Sequence, residues 1–386
     1  FIQFRTLLYI MYETEQLEQQ KCESFAYFTK YCRLLTTPTL GNPGKIIPFE
    51  VWSHLRELGR TLITKLYITV LKARQIGVSY FIAAYVLWFA LFHTGATILL
   101  YSKAEDDAFE LLGKCRRIYE LLPLFLQYPL NPDSKGELGF PDKKATIKAL
   151  PATASAGVGL TASIVVCDEH DEHPYAARNY LSAKPTIDRA GGQFISVFTV
   201  VKNEPFSFAK SLFKDALAGK NDFTPLFFPY NVIPGRDEKW YEDTKRNVTS
   251  EEASGLTPEL FMEQNYPRSI EEALSVPQSV SAFDTNSLGQ MLEDTRNPIK
   301  LDNPDIDWNI IKIYKPFSIG NYYIAASDAS HGVGKDNSVT VVMNVKSGEV
   351  VADIMNPLLR PEELAFHSVK LLSLYKNPKW YPEDND

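Results

Sequence analysis

The stretch VLKARQIGVSY, residues 70–80, decides the fold class of this chain. It continues an apolar strand pattern near residues 66–71 and opens an apolar helical pattern after Gly77. A loop that joins a buried strand to a helix N-terminus directs backbone N–H groups at an anion, and the helix dipole favours negative charge there. The stretch therefore predicts a phosphate-binding loop. The competing interpretation is an ordinary strand–turn–helix with two basic residues at the surface.

The loop departs from the usual G-x-x-x-x-G-K-[ST] pattern, because only Gly77 and Ser79 match it and Val78 holds the lysine position. At the other end of the loop, either Lys72 or Arg74 can place a positive charge on the β and γ phosphates. Ser79 then offers the hydroxyl ligand for Mg²⁺. The loop residues that we assign to nucleotide binding are Lys72, Arg74, Gln75, Gly77 and Ser79.

Further along the chain, ASIVVCDEHDE (162–172) is an apolar run that ends in two acids. A buried strand would deliver Asp168 and Glu169 to the edge of a sheet, which is the Walker B arrangement. The first acid holds Mg²⁺, and the second is the catalytic group that polarises the attacking water. The loop and the acid pair together predict ATP hydrolysis. The adjoining HDEH (170–173) contains metal-ligand residue types, but we expect it to form a solvated loop.

Two more residues are candidates for nucleotide contacts. Trp52, in IPFEVW (47–52), is either a stacking partner for adenine or a core aromatic residue. QFISVFTVVKN (193–203) predicts a strand that ends at Thr199, whose hydroxyl could sense the γ-phosphate.

Composition limits the class of protein. The chain has 386 residues, 45% hydrophobic and 23% charged, which is typical of a soluble globular protein with two or three domains. The net charge of −7 counts mildly against a nucleic-acid binder, although a local contact with DNA remains open. Four cysteines without a C-x-x-C pair indicate reduced thiols, and the six histidines show no zinc spacing. No signal peptide is visible, and because the chain begins at Phe1 we expect its first residues to be missing.

Short runs rich in valine and isoleucine alternate with helical stretches, which predicts a parallel sheet covered on both faces. The charge-free stretch Tyr80–Leu100 imitates a membrane span, but Gly95 favours a buried helix to about Phe92, a turn, and a strand at 96–101. Helices are also expected at 10–35 and near 50–59. The other predicted strands lie at 66–71, 145–149, 163–167 and 194–199, and, after a polar connection at 292–308, at 322–328, 338–345 and 348–354.

The order of these motifs resembles the large terminase subunits of tailed bacteriophages. KARQIGVSY is similar to the family's phosphate loop, in which the lysine precedes the loop, and IVVCDE to its Walker B strand; Thr199 falls at its coupling motif. FMEQNYPRSIEEALSVPQSVSAF (261–283) resembles its E-x-x-Y-P, E-E-A and terminal F pattern. YYIAASDASHGVGKDNSVTVVMNVKSGEVV (322–351) resembles the opening hairpin of its ribonuclease H-like nuclease.

The resemblance implies an α/β fold: a P-loop (ASCE-type) ATPase domain with a parallel sheet, followed by the first part of a ribonuclease H-like α/β nuclease domain. The expected domains are an N-terminal helical segment (1–40), the ATPase domain (41–280), a linker (281–312) and the incomplete nuclease domain (313–386).

The resemblance also implies a function. ATP hydrolysis with Mg²⁺ would drive double-stranded DNA into a procapsid. The subunits would form a ring, expected to be a pentamer, docked on the portal protein in the host cytoplasm with no membrane association. A small terminase subunit would select the DNA. A basic residue from one subunit often completes the neighbouring site in such rings, and Arg178 and Arg189 are the candidates.

The nuclease implied by the resemblance uses two Mg²⁺ or Mn²⁺ ions held by clustered carboxylates. Asp328 is the expected bridging ligand and catalytic residue, and Asp336 either helps or shapes the turn. KWYPEDND (379–386) resembles the family's E-N-N element, so Glu383 is the second acid, with Asp384 as the alternative. The family's third acid should lie beyond residue 386, so we expect an incomplete nuclease site in this chain.

Two other functions remain open at this stage. One is a helicase-like, nucleic-acid-dependent ATPase with a degenerate nuclease domain. The other is a docking protein that kept the fold without catalysis, which Val78 at the usual lysine position would favour.

Overall fold

The computed structural model describes residues 2–151, 153, 161–277, 291, 295–334 and 336–383. These residues belong to two compact units, which divide between residues 282 and 283. Three predicted features lie partly or wholly outside the described residues: the end of the 261–283 segment, most of the expected linker before residue 295, and Asp384.

The helices of the first unit are α1 (Ile2–Lys21), α2 (Phe25–Phe28), α3 (Ser53–Thr64), α4 (Val78–Phe92), α5 (Glu105–Glu120), α6 (Ala176–Ala190), α7 (Phe208–Leu217), α8 (Glu238–Arg246), α9 (Ser250–Ala253), α10 (Pro258–Asn265) and α11 (Ile270–Leu274). Its strands are β1 (Arg33–Leu35), β2 (Ile46–Pro48), β3 (Tyr67–Lys72), β4 (Thr97–Ser102), β5 (Asp133–Ser134), β6 (Glu137–Phe140), β7 (Ala145–Pro151), β8 (Ile164–Cys167), β9 (Gln193–Phe198) and β10 (Thr224–Phe228).

The main sheet of this unit has eight strands in the order β10-β3-β9-β8-β4-β7-β6-β5. The six strands from β10 to β7 are parallel, and β6 and β5 add an antiparallel edge. One strand, β9, separates the strand of the phosphate loop from the strand of the acid pair, as in ASCE-type ATPases. The predicted fold class is confirmed, although the sheet is mixed where a wholly parallel one was expected.

Helix α4 accounts for the charge-free stretch that imitates a membrane span. Eleven of its fifteen residues are buried, because it packs between the sheet and neighbouring helices. A helix that is apolar on every side is stable only when it is surrounded in this way. The chain turns at Gly95, where φ is +80°, and enters β4. Among the described residues, no helix has the length and hydropathy needed to cross a membrane.

The prediction of one helix over residues 10–35 is wrong in its second half. α1 ends at Lys21, two short helical turns follow, and Arg33–Leu35 pair with Ile46–Pro48 as an antiparallel ribbon. Aromatic residues of the α2 turn, Phe25 above all, instead pack edge-on against Phe81 and Tyr85 of α4.

The second unit contains the strands β11 (Ile311–Ile313), β12 (Tyr323–Asp328), β13 (Ser338–Asn344), β14 (Val350–Asn356) and β15 (Lys379–Pro382), and the helix α12 (Pro361–Leu374). Strands β12, β13 and β14 form the expected antiparallel meander. β15 returns after α12 and pairs in parallel with β12, giving the order β11-β14-β13-β12-β15. Within it, β14-β13-β12-β15 is the strand order at the start of a ribonuclease H-like sheet, and β11 adds an edge strand beside β14. β11 begins inside the stretch expected to be linker.

Candidate active site

The phosphate loop lies between β3 and α4 and is held by main-chain hydrogen bonds. The amide of Ala73 donates to the carbonyl of Phe228 (2.9 Å), and that of Arg74 donates to the carbonyl of Asn265 (2.8 Å). Gly77 caps α4 with φ +81°, a conformation that L side chains rarely adopt. Gln75 also has positive φ, +59°, which costs about 1 kcal/mol or more and is typical of ligand-binding loops.

Lys72 connects the three elements that the sequence singled out. Its side chain is almost fully buried at the end of β3, with 5% of its surface exposed. The ammonium donates to Glu169 Oε1 and to Thr199 Oγ1, both at 3.2 Å. A buried ammonium needs compensating partners. Here they are the second acid after β8 and the hydroxyl that follows β9.

Asp168 and Glu169 follow β8 at the edge of the sheet, as predicted. Burial, reinforced by the negative charge of Glu169, raises the pKa of Asp168. Burial also acts to raise the pKa of Glu169, but the positive charges of Lys72 and Arg74 outweigh it, and the net shift is downward. Glu169 is therefore held as a carboxylate, the form that can polarise a water molecule.

The acid pair fits a divalent cation. Within the described part of the chain, Asp168 Oδ1 and Glu169 Oε2 are buried and have no hydrogen-bond partner. A buried carboxylate oxygen without a partner is unfavourable, and a hard cation such as Mg²⁺ would satisfy it. A hydrogen bond from Ser79 partly offsets the rise in the pKa of Asp168, so the predicted hydroxyl ligand lies beside the predicted carboxylate ligand.

These residues line one cavity of about 370 Å³. Its walls combine the phosphate loop, the acid pair and one face of α5, and the lining residues are Lys72, Arg74, Gln75, Ser79, Ser102, Lys103, Asp107, Glu110, Lys114, Asp168, Glu169 and Glu172. The sequence reading missed Lys103 and Lys114. Lys103 forms an ion pair with Glu172 at 2.7 Å. The positive charge of Lys114 partly offsets the rise in the pKa of Asp168.

A second pair of predicted acids meets in the other unit. Asp328 ends β12, and Glu383 follows β15, where its amide donates to the carbonyl of Ser327 (2.7 Å). Because β12 and β15 are parallel neighbours, both acids line one cavity of about 330 Å³. Asp336 lies in the turn between β12 and β13, where its carbonyl accepts from Ser330 Oγ (2.9 Å).

The sequence of residues 69–274, more than half of the chain, matches the family described as terminase large subunit, T4likevirus-type, N-terminal. The chain belongs to the large terminase subunit family.

Solved structures to which the chain is similar include large terminases. The ATPase domain from Thermus phage P74-26 is 16% identical and covers 57% of this chain and 92% of its own, with a TM-score of 0.44. The large terminase of bacteriophage HK97 is 14% identical over 93% of this chain and 73% of its own, with a TM-score of 0.45. The large terminase of a thermophilic bacteriophage, in complex with ADP, is 12% identical over 86% of this chain and 76% of its own, with a TM-score of 0.44.

In this member of the terminase family, Trp52 lies beside the phosphate loop rather than among the residues that line the cavity. It is half-buried immediately before α3, and its ring would be 3.8 Å from a Cβ atom placed on Gly77. The buried His54, which the sequence reading did not select, contacts the loop directly through Nε2 and the carbonyl of Ile76 (2.8 Å). Arg236 donates to the carbonyl of Arg74 (2.8 Å) and so supports the loop from outside.

The expectation of a solvated loop after the acid pair is wrong. His170, Asp171 and His173 are buried. His170 Nδ1 lies 2.7 Å from Ser196 Oγ, and His173 Nε2 lies 2.8 Å from the carbonyl of Asp168. The first contact fixes the turn to β9, and the second ties it back to the acid pair. Neither Arg178 nor Arg189 contributes to the cavity lining, and both are exposed on α6.

The buried histidines make the fold sensitive to acid. Burial lowers the pKa of His173 from 6.5 to about 4 and that of His170 further. A lowered folded-state pKa gives stability that is complete above pH 6.5 and is lost as the pH falls toward the folded value. We expect the free energy of unfolding to fall by about 1.4 kcal/mol per pH unit for each such histidine in that window.

Denaturant titrations above and below that window measure the effect. His173→Gln keeps a donor for the carbonyl of Asp168 and should remove part of the pH dependence. The control is His93→Gln, since His93 is exposed at the end of α4. Equal pH dependence in wild type and His173→Gln would contradict this assignment.

Proposed function

We propose that this chain hydrolyses ATP in the cavity between the phosphate loop and the acid pair, and uses the energy to move double-stranded DNA into a procapsid. The observation that carries the proposal is the contact of the Lys72 ammonium with both Glu169 and Thr199. It joins, at one point, the residues that would bind the phosphates, polarise the water and sense the γ-phosphate. Family membership supports DNA packaging as the work that is done.

The residues that the sequence singled out then have separate tasks. The amides of the phosphate loop bind phosphate oxygens, and Lys72 with Arg74 offsets their negative charge. Ser79 and Asp168 would hold Mg²⁺, which supplies further positive charge at the phosphates when bound. Glu169 orients and polarises the attacking water. When a γ-phosphate binds the ammonium of Lys72, that ammonium would leave Glu169 and Thr199. The change in the contacts of Thr199 would then depend on whether ATP is bound.

The remaining assignments are part of the same proposal. Trp52 would contact the adenine from its place beside Gly77. The subunits would form a ring, a pentamer, on the portal protein with a small terminase subunit, and Arg178 or Arg189 would complete the site of the neighbouring subunit.

Phosphate release from ATP tests the proposal. We expect turnover that requires Mg²⁺ and rises when double-stranded DNA and the assembled ring are present. A chain that binds no nucleotide under any of these conditions would instead be the non-catalytic docking protein.

We also propose a metal-dependent nuclease function for the second unit, because Asp328 and Glu383 line the same cavity at neighbouring strand ends. Carboxylates placed together in this way are the ligands that paired Mg²⁺ or Mn²⁺ ions prefer. Metal ions there would activate a water and stabilise the leaving oxygen of a phosphodiester.

Mn²⁺ binding to the chain measures this site directly. In an Asp168→Asn background, which removes the carboxylate ligand proposed for the metal of the first unit, Asp328→Asn should weaken Mn²⁺ binding about tenfold or more. The control is Glu362→Gln, an exposed acid in the first turn of α12. Unchanged Mn²⁺ affinity in the Asp328 variant would remove the nuclease assignment and favour a degenerate domain.

A further inference from the structure

The segment that follows β9, residues 199–202, is tied to neighbouring elements along its length. The hydroxyl of Thr199 accepts from Lys72 of the phosphate-loop strand. The amide of Val201 donates to Asp171 Oδ2 (2.7 Å), and its carbonyl accepts from Lys210 Nζ (3.0 Å). Asp171 and Lys210 themselves form a buried ion pair at 2.6 Å. Thr199 and Val201 thus hold the segment to Lys72 of the cavity and to the turn that follows the acid pair.

The last residue of the segment, Lys202, contacts α10 and α11. Its side chain is fully buried, with 1% of its surface exposed. Nζ forms an ion pair with Glu263 Oε2 of α10 (2.9 Å) and donates to the carbonyl of Glu272 (2.6 Å). It also donates to the carbonyl and the hydroxyl of Ser275, at 3.1 and 2.7 Å. The ammonium therefore caps the C-terminal end of α11, where unpaired carbonyls favour a positive charge.

A second contact joins Lys202 to α10. The main-chain amide of Lys202 donates to Gln264 Oε1 of α10 (2.8 Å). Both α10 and α11 are thus fixed to one residue, three positions after the hydroxyl that accepts from Lys72. Ser275 is close to the end of the first unit, which divides from the second after residue 282.

We propose that Lys202 is a positioning residue that transmits the nucleotide state of the cavity to α10 and α11, and so to the end of the ATPase unit. This inference rests on the proposed ATPase function and adds the route by which the site acts on the rest of the chain. When Thr199 exchanges its lysine partner, the short segment 199–202 turns about Val201, which Asp171 and Lys210 hold in place. Lys202 carries that movement to the C-terminal end of α11.

A purely structural role would predict something different. Replacing a buried ion pair by apolar side chains often leaves a protein as stable as before, because the desolvation penalty disappears with the charges. If Lys202 only fills the core, the double variant Lys202→Met/Glu263→Leu should behave like wild type. If Lys202 transmits the signal, this variant should fold and bind nucleotide but lose the response of α11.

Hydrogen exchange of the chain with and without Mg²⁺ and ATPγS separates the two roles. In wild type we expect nucleotide to change the exchange of amides in both the phosphate loop and residues 268–277. In the double variant the change in the loop should remain, the ATPγS affinity should stay within about threefold of wild type, and the change at 268–277 should be lost. Lys202→Gln, which withdraws the ammonium from the carbonyls of Glu272 and Ser275, is the second variant should the double variant not fold, and it should also lose the change at 268–277.

The control is Lys245→Met. Lys245 forms an ion pair with Glu259 of α10, at 3.2 Å, and the variant removes it. This ion pair does not involve the segment 199–202. This variant should keep both nucleotide-dependent changes. A change at 268–277 that persists in the Lys202 variants, or that is absent from wild type while the loop responds, would overturn the relay. Wild type without any nucleotide response in the loop would overturn the ATPase function and the relay with it.

Discussion

Glu169→Gln is expected to lower kcat for ATP hydrolysis by about 10²–10⁴, the range for loss of a general base. Glutamine has nearly the same shape as glutamate, so the variant should keep the left-handed backbone of residue 169, where φ is +50°. It removes the carboxylate that the charges of Lys72 and Arg74 keep ionised. Nucleotide binding should persist, so the loss should appear in kcat under saturating ATP.

Glu172→Gln is the matched control for this experiment. Glu172 lines the same cavity three residues further along, but its carboxylate is paired with Lys103. We expect its kcat to stay within about threefold of wild type, since an exposed ion pair contributes little. Equal losses in the two variants would mean that the general charge of the cavity matters and that Glu169 has no special role.

Lys72→Ala is expected to reduce kcat/KM for ATP by about 10²–10³, the loss typical of removing one preorganised electrostatic contact to the reacting group. The effect has two sources. The variant lacks the charge that would offset the phosphates, and it leaves Thr199 and Glu169 without the ammonium that now joins them. Steady-state turnover over a range of ATP concentrations gives the ratio.

Arg74→Ala decides between the two basic residues of the loop. Arg74 lines the cavity, but its side chain is more exposed than that of the buried Lys72. We expect a smaller loss for the arginine variant. If Lys72→Ala turns over ATP normally and Arg74→Ala does not, the arginine is the phosphate-binding cation.

The central strands could be predicted because the local sequence alone shows that they are buried. Runs such as IVVC in β8 are apolar at every position, as a strand covered on both faces must be. β10 was missed because it is an edge strand: it contains Pro225, and four of its five residues are only half-buried. The antiparallel edge formed by β5 and β6 was missed because these strands are two and four residues long.

The site residues also divide into those that the local sequence reveals and those that it does not. Lys72, Asp168, Glu169 and Thr199 could be selected because each follows or ends a recognisable strand. Lys103, just before α5, and Lys114, on α5, could not, because this helix has the charge pattern of any helix with a solvated face, and local sequence does not say what that face covers. The turn after the acid pair was misjudged since Asp171 is neutralised by Lys210, 39 residues away along the chain.

A crystal structure of the chain with Mg²⁺ and ATPγS would show whether the phosphates displace Lys72 from its present partners. We expect triphosphate density against the amides of residues 74–79, with Lys72 Nζ on a phosphate oxygen and withdrawn from its contacts with Glu169 and Thr199. Nucleotide bound elsewhere, or phosphates in the loop while Lys72 still joins Glu169 to Thr199, would contradict it.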